Sequence, residues 1–201
     1  MRVVFSVGDE DSEIKDGDVM VPKSHVRKRN ADPCVNKGCK WPRSEDMKVY
    51  VPYVIANNYS EYYSAMTTDQ FLWFCFSHGD GTIHNITQHS CSSKVGRRGN
   101  RQMLSLKKNG CIKTRKIQHE LMHALGFHHE HMRSDRDEYI KTPTLNLGTP
   151  YDYGSVMQSN SKSFSKNGNT TMVALRSNVT FGLAKEMSYW DIERVNRLYC
   201  R

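Results

Sequence analysis

The run His119-Glu120-Leu121-Met122-His123-Ala124-Leu125-Gly126-Phe127-His128-His129-Glu130 constrains this chain more than any other segment. Read as a helix, it puts His119 and His123 about 40° apart around the axis, one turn from each other on the same side. Two imidazoles so placed can share one metal ion, and Glu120 beside the first can act as a base on a water held there. A third ligand must come from outside the helix. Gly126 lets the chain leave the helix through a left-handed residue, and the turned chain can deliver His129 to the same ion. Three imidazoles leave one coordination position open, the mark of a catalytic rather than a structural zinc site. A bare H-E-x-x-H arises by chance on amphipathic helices, whereas H-E-x-x-H-x-x-G-x-x-H does so far less readily. His128 and His131 crowd the same region, but the spacing after Gly126 favours His129 and leaves those two as solvated surface histidines.

A chain of 201 residues suits one domain with a short leader, and 37% hydrophobic residues can supply its core. The net charge of +8 is spread over short groups such as Arg27-Lys28-Arg29, Arg97-Arg98 and Lys107-Lys108. That pattern is a soluble basic surface and contains no nucleic-acid module. The longest apolar run, Phe71 to Phe76, is too short to span a bilayer, so no membrane partner is expected. Six cysteines lack any C-x-x-C spacing, and sequons stand at Asn58, Asn85, Asn169 and Asn178. With the histidines accounting for the metal, the cysteines read as disulfides of a secreted protein. Met1 to Val7 lacks a signal-peptide core, so a secretory leader is expected to lie outside this sequence.

Along the chain, Gly8 to Asp18 is acidic and polar, and Lys23 to Arg29 is basic, ending at a processing-type site before Asn30. From Trp41 onward the composition is globular. Val49 to Ile55 reads as a strand, with Pro52 suggesting an edge or bulge. Ser60 to Met66 suggests a short helix, and Gln102 to Leu106 alternates like a half-buried strand before the turn Lys107-Lys108-Asn109-Gly110. The metal helix is expected over about Lys113 to Leu125, with Ile117, Leu121 and Leu125 packed inward. Ser188 and Asp191 read as a capping pair for a final helix whose buried stripe is Ile192, Val195 and Tyr199.

Together these residues resemble the astacin family of metzincin zinc endopeptidases. The histidine run continued by His131-Met132-Arg133-Ser134-Asp135-Arg136-Asp137 carries the resemblance, with Glu130 directly after the third histidine. Tyr151-Asp152-Tyr153-Gly154-Ser155-Val156-Met157 is similar to its Met-turn, and Met187 to Tyr199 is similar to its closing helix. Arg29 to Cys34, Gly38 to Pro42 and Val95 to Gln102 resemble the family's fish hatching-enzyme branch, of the high choriolytic type. The resemblance implies an α+β, two-lobed catalytic domain: an N-terminal mixed sheet with the zinc helix, and an irregular C-terminal lobe with a closing helix. It divides the chain into a propeptide remnant (1–29) and a peptidase domain (30–201). It implies one zinc ion per chain on His119, His123 and His129, Glu120 as general base, and Met157 beneath the metal. Glu130 would stand behind the ligands and link to the new N-terminus after processing. Asp18, in Gly17-Asp18-Val19, would fill the open zinc position of the latent precursor. The implied disulfides are Cys34–Cys39, Cys75–Cys200 and Cys91–Cys111. The implied protein is secreted, stored in secretory granules, and cuts egg-envelope glycoprotein.

The chain departs from the family at three places. The family's tyrosine two residues past the Met-turn methionine is Ser159 here, too short to support an oxyanion. Loss of one such donor costs about 10²–10³ in turnover, which predicts a slow enzyme. Between Ile140 and Thr144 a stretch of helix and loop is missing. His78-Gly79-Asp80-Gly81 is poor strand chemistry where the family has a regular strand. These departures support a second reading, a weakly active or noncatalytic zinc-binding relative that binds envelope protein. In the first reading, Arg97, Arg98 or Arg101 near the cleft would favour acidic side chains in the substrate.

Overall fold

The computed structural model describes residues 12–22, 38–55, 76–78, 83–86, 90–99, 102–133, 135 and 146–200. Their strands are β1 (Ser12–Lys15), β2 (Val19–Pro22), β3 (Val51–Ile55), β4 (Phe76–His78), β5 (Ile83–Ile86), β6 (Ser92–Ser93) and β7 (Gln102–Ser105). Two longer helices follow, α1 (Thr114–Ala124) and α2 (Tyr189–Tyr199). The strands make one mixed sheet in the order β1-β2-β6-β7-β5-β3-β4. This is the α+β architecture implied by the sequence, a sheet with the histidine helix followed by an irregular stretch that α2 closes.

The β3, β4, β5 and β7 strands run parallel, while β6 turns antiparallel against β7. α1 packs across β6 and β7. Ile117, Leu121 and Leu125 are buried as expected and meet Trp41, Val51, Tyr53, Leu104, Leu106 and Leu198 in the main core. Burying side chains of this size contributes about 1.5–3 kcal/mol each. That is why a helix with a polar, ligand-bearing side still docks firmly.

Several local readings change. All four residues of β7 are buried, because a strand between two neighbours and under a helix has no solvated face. β3 is an inner strand, not an edge. Pro52 is tolerated there because it is registered only with Ser77 of β4, and the pairing with β5 starts one residue later at Tyr53. Phe76–His78 and Ile83–Ile86 are both strands, and residues 79–82 between them lie outside the described residues, as do Ser60 to Met66 and Ile140 to Thr144. The stripe assigned to α2 holds at Tyr199, which is buried, and at Val195, which packs against the core, but not at Ile192. Ile192 is exposed, while Asp191, Arg194, Leu198 and Tyr199 are buried. Inward polar groups broke the apolar pattern, and each of them has partners.

Cys91 and Cys111 are bonded, tying the entry of β6 to the turn before α1. Cys39 is also disulfide-bonded, and its expected partner Cys34 lies outside the described residues. Cys200 corrects the third pairing: it is an exposed free thiol at the end of α2, its Sγ 3.7 Å from Asn196 Oδ1. Its expected partner Cys75 lies outside the described residues.

Residues 12–22 join the sheet rather than forming a solvated tail. β1 and β2 form a hairpin whose turn is Asp16-Gly17-Asp18, with Asp16 and Gly17 at positive φ. β2 joins the sheet beside β6, through the Val19–Ser93 register and a 3.0 Å bond from Ser93 N–H to the Asp18 carbonyl. The hairpin therefore extends the sheet and carries its turn toward α1.

Candidate metal centre

α1 ends where the histidine spacing requires. Gly126 adopts φ +105°, its N–H bonds the His123 carbonyl (2.8 Å), and the Phe127 N–H bonds that of Met122 (3.0 Å). These two bonds are a Schellman closure, which sequence placed at this glycine. The remaining carbonyls of the last turn are also satisfied. Trp41 Nε1 donates to Ala124 (2.9 Å), Tyr199 Oη to Leu125 (2.7 Å) and Gly96 N to His123 (2.8 Å). A helix end held from three directions fixes where His119 and His123 point.

The three histidines expected as ligands converge. His119 and His123 ring centroids are 4.8 Å apart, and His123 and His129 are likewise 4.8 Å apart. His119 Nδ1 bonds the Val156 carbonyl (2.7 Å), and His123 Nδ1 bonds the Phe127 carbonyl (2.8 Å). A carbonyl only accepts, so each Nδ1 carries the proton and each Nε2 presents a lone pair. His129 is held differently, stacked at 17° on His131 with centroids 5.2 Å apart. His131, read from sequence as a solvated surface residue, packs between His129 and Phe164.

Into this cluster the hairpin turn delivers Asp18. Its carboxylate lies 3.0 Å from His119 Nε2, 3.3 Å from His123 Nε2 and 2.9 Å from His129 Nε2. Burial alone would raise its pKa, but the closeness of His119, His123 and His129 outweighs that and holds Asp18 far below the usual carboxylate range. Burial pushes His119 down and His129 down to about 3, so both imidazoles are neutral. His119 and His129 Nε2 are 3.2 Å apart, and His123 Nε2 is buried without a hydrogen-bond partner. All four ligand atoms lie within 4.8 Å of one another. Neutral nitrogen lone pairs and a carboxylate gathered so closely need a cation between them, and three His nitrogens with one oxygen suit zinc.

Glu120 is fully buried, and neither oxygen has a hydrogen-bond partner among the described residues. Burial first, and the charge of Asp18 second, push its pKa well up, while Lys116 pulls it down. Such a carboxyl is suited to taking and returning a proton.

Glu130 is not a solvated helix-end residue. It forms a bidentate pair with Arg194 (2.7 and 2.8 Å) and accepts the Asp152 N–H at 2.7 Å. Its own N–H bonds the Met157 carbonyl (2.9 Å), joining the third-histidine segment to the Met-turn. Met157 is buried with Met122 and Val156. The Met-turn is pinned in turn by Asp191, which accepts the Val156 N–H (2.9 Å) and the Ser155 hydroxyl while capping α2. Asp191 thus positions the carbonyl that orients His119. Sequence showed Asp191 only as a cap and missed Arg194, since their partners are distant in the chain.

The cleft over the histidines, about 280 Å³, is lined by Asp16, Asp18, Arg115, Lys116, Ser159 and Phe164, among others. Neither Arg97 nor Arg98 lines it, and Arg101 lies outside the described residues.

Comparison with known proteins agrees with this geometry. The family model of the astacin peptidases matches residues 40–147 and 141–200. The chain is 35% identical to the low choriolytic enzyme of Oryzias latipes, over 93% of this chain and 78% of that protein. It is 35% identical to high choriolytic enzyme 1 of the same fish, over 100% and 83% respectively. A solved structure of high choriolytic enzyme 1, a hatching-enzyme zinc protease from medaka, superposes with a TM-score of 0.75 at 34% identity. That superposition covers 85% of this chain and 99% of that one.

Proposed function

This chain belongs to the astacin family of zinc metalloendopeptidases, and we propose that it is made as a latent precursor and acts outside the cell on egg-envelope-type proteins. Its cofactor is zinc and its substrates are proteins. When bound, zinc supplies a Lewis acid that polarises the scissile carbonyl and makes water a nucleophile at neutral pH. His119, His123 and His129 would hold it, their Nδ1 contacts and stacking keeping the lone pairs aimed inward. Glu120 would take the proton of the attacking water and return it to the leaving amine. Met157, Glu130 and Asp191 keep the two halves of the site in register.

The observation that carries the latency reading is Asp18, whose carboxylate stands where a substrate carbonyl would have to enter. Cutting after Arg29 would separate the hairpin from residues 30–201. The extracellular reading is supported by the Cys91–Cys111 disulfide and the four sequons. The egg-envelope reading is supported by the relatives, named as choriolytic and hatching enzymes. The intact histidine set with Glu120 favours this reading over a noncatalytic zinc binder.

The test compares uncut and Arg29-cleaved protein for bound zinc and for hydrolysis of casein and egg envelope. The uncut form should be silent and the cleaved form active. Glu120→Ala should lose about 10²–10⁴ in kcat while keeping its zinc. Hydrolysis independent of Glu120 would defeat the catalytic assignment, and an uncut form as active as the cleaved one would defeat latency. Cleaved protein that digests casein but not envelope would remove the egg-envelope assignment alone.

A further inference from the structure

We infer that Asn169 and Asn178 carry N-linked oligosaccharides that flank and screen an exposed apolar strip, Thr171 to Leu175. The inference rests on the extracellular reading and goes beyond it by naming which acceptor sites are used and what they do for the fold.

The strip Thr171-Met172-Val173-Ala174-Leu175 is uncharged and holds neither Pro nor Gly. Val173 (80%) and Leu175 (87%) are the two most exposed large apolar residues among those described. The main chain of Val173, Ala174 and Leu175 makes no hydrogen bond among the described residues. A short uncharged segment with open backbone donors and acceptors is a template for pairing with another chain. Proteins blunt such segments with Lys, Pro or a covering element. The nearest charge in sequence is Arg176, and it guards one end only.

Both ends of the strip meet a sequon. Asn169-Thr170-Thr171 leads into it, and Asn178-Val179-Thr180 begins three residues after Leu175. Both asparagines are exposed, and neither side-chain amide has a hydrogen-bond partner among the described residues. Asn178 sits in a turn at φ +61°, a conformation asparagine tolerates better than most residues. Thr171 pins the start of the strip: its N–H bonds the Ser161 carbonyl (2.8 Å), and its hydroxyl donates to the Ser161 and Ser163 carbonyls. That hydroxyl is committed once the chain has folded, so the first sequon is read before the loop closes, and Asn169 remains exposed afterwards. The other sequons differ. Asn85 lies in β5, paired on both sides by β3 and β7, which is no surface acceptor loop. Asn58 lies outside the described residues.

The modification is a group transfer. The asparagine amide nitrogen forms a bond to the anomeric carbon of an oligosaccharide carried on a lipid diphosphate. The bond from that carbon to the diphosphate oxygen breaks, its electron pair leaves with the lipid diphosphate, and the amide gives up a proton. Nothing is oxidised or reduced. The attached sugar is bulky and hydrated, so one at each end of the strip keeps a second chain from pairing along Val173 and Leu175.

The test uses the full chain secreted from animal cells behind a cleavable leader. Its peptides are treated with an amidase in heavy-oxygen water, which turns each glycosylated Asn into a labelled Asp that mass spectrometry locates. Asn169 and Asn178 should be labelled, and Asn85 should not. Analytical ultracentrifugation should find this protein monomeric. Asn169→Gln with Asn178→Gln should self-associate, its average mass rising about twofold or more. Adding Val173→Lys with Leu175→Lys should return it to monomer. Should the Gln variant fail to fold, folded wild type trimmed with an endoglycosidase replaces it and should self-associate likewise. An unlabelled Asn169 or Asn178, a labelled Asn85, or trimmed protein that stays monomeric overturns the inference. So does glycosylated wild type that already dimerises and loses the dimer with Val173→Lys and Leu175→Lys, which would make the strip an interface between copies. The same digest reports the Cys91–Cys111 disulfide, and its absence would count against the extracellular reading whatever the asparagines carry.

Discussion

Ser159 is the site residue at which the sequence resemblance implies a departure from a family tyrosine. It is half-buried and lines the cleft beside His119 and His129, so a longer side chain there would enter the reaction space. The preceding Gln158 is committed elsewhere, accepting from the Tyr151 hydroxyl and donating to the Ser159 carbonyl. Ser159→Tyr in cleaved protein should therefore raise kcat, by up to about 10²–10³ if it restores a full transition-state donor, with little change in KM. Steady-state kinetics on one peptide would show this, and an unchanged kcat would mean that turnover is limited elsewhere. Tyr199 gives a pH-dependent prediction. Its buried hydroxyl donates to Leu125, and burial raises its pKa above the ordinary 10.0. The neutral phenol is thus the form the fold prefers. Its stabilising effect is complete below pH 10.0 and fades as pH rises above that toward the folded pKa. The difference in urea midpoint between wild type and Tyr199→Phe should be constant from pH 7 to about 9 and shrink by about pH 11. A difference that grows with pH would contradict this assignment.

Elements transmit these residue effects. At the end of α1, Gly126→Ala would force a side chain into φ +105°, costing about 1–2 kcal/mol. The same change should disturb Phe127, whose carbonyl fixes the His123 tautomer, so zinc affinity should fall together with Tm. A lower Tm with unchanged zinc affinity would separate the helix end from the metal centre. Asp191→Ala should be more severe. It removes the reciprocal half of the α2 capping box and leaves the Val156 and Ser188 N–H groups and the Ser155 hydroxyl without their acceptor, at about 1–3 kcal/mol for each one buried. Loss of cooperative unfolding, or a Tm lower by more than about 5 °C, is expected. The two helices also show what a sequence can reveal. His119, His123, Gly126 and His129 fall within eleven consecutive residues, so helix period and one glycine were enough to place them. The Ser188–Asp191 cap was legible for the same reason. The burial of Asp191 and Arg194 was not, because Val156 lies 35 positions from Asp191 and Glu130 lies 64 from Arg194. Periodicity assigned their face to apolar neighbours, and paired charges occupy it instead. The β1–β2 hairpin was equally hidden, since its charged composition indicates solvent unless the histidines that receive Asp18 are already in view.

For the whole molecule, the hairpin has two separable attachments, and they make different predictions. One is the backbone pairing of β2 with β6, which depends on no particular side chain. The other is Asp18 on the three histidines, which depends on a single carboxylate. Asp18→Ala should leave the first and remove the second. The uncut variant should therefore keep its hairpin, seen as retained protection of the Ser93 amide in hydrogen exchange, while gaining measurable peptidase activity. Cutting after Arg29 should release both attachments and give more activity than the substitution alone. Chelation gives a second readout that needs no turnover. With Asp18 in place a chelator has no open coordination position to attack, whereas three imidazoles alone leave one. The zinc of the uncut protein should thus be stripped more slowly than that of the cleaved protein, by about tenfold or more if coordination by Asp18 contributes at least about 1.4 kcal/mol. Uncut Asp18→Ala should lose zinc at nearly the cleaved rate. If it instead keeps zinc like the uncut wild type, protection comes from the strand pairing, and Asp18 is a passenger on the hairpin rather than the group that closes the metal site.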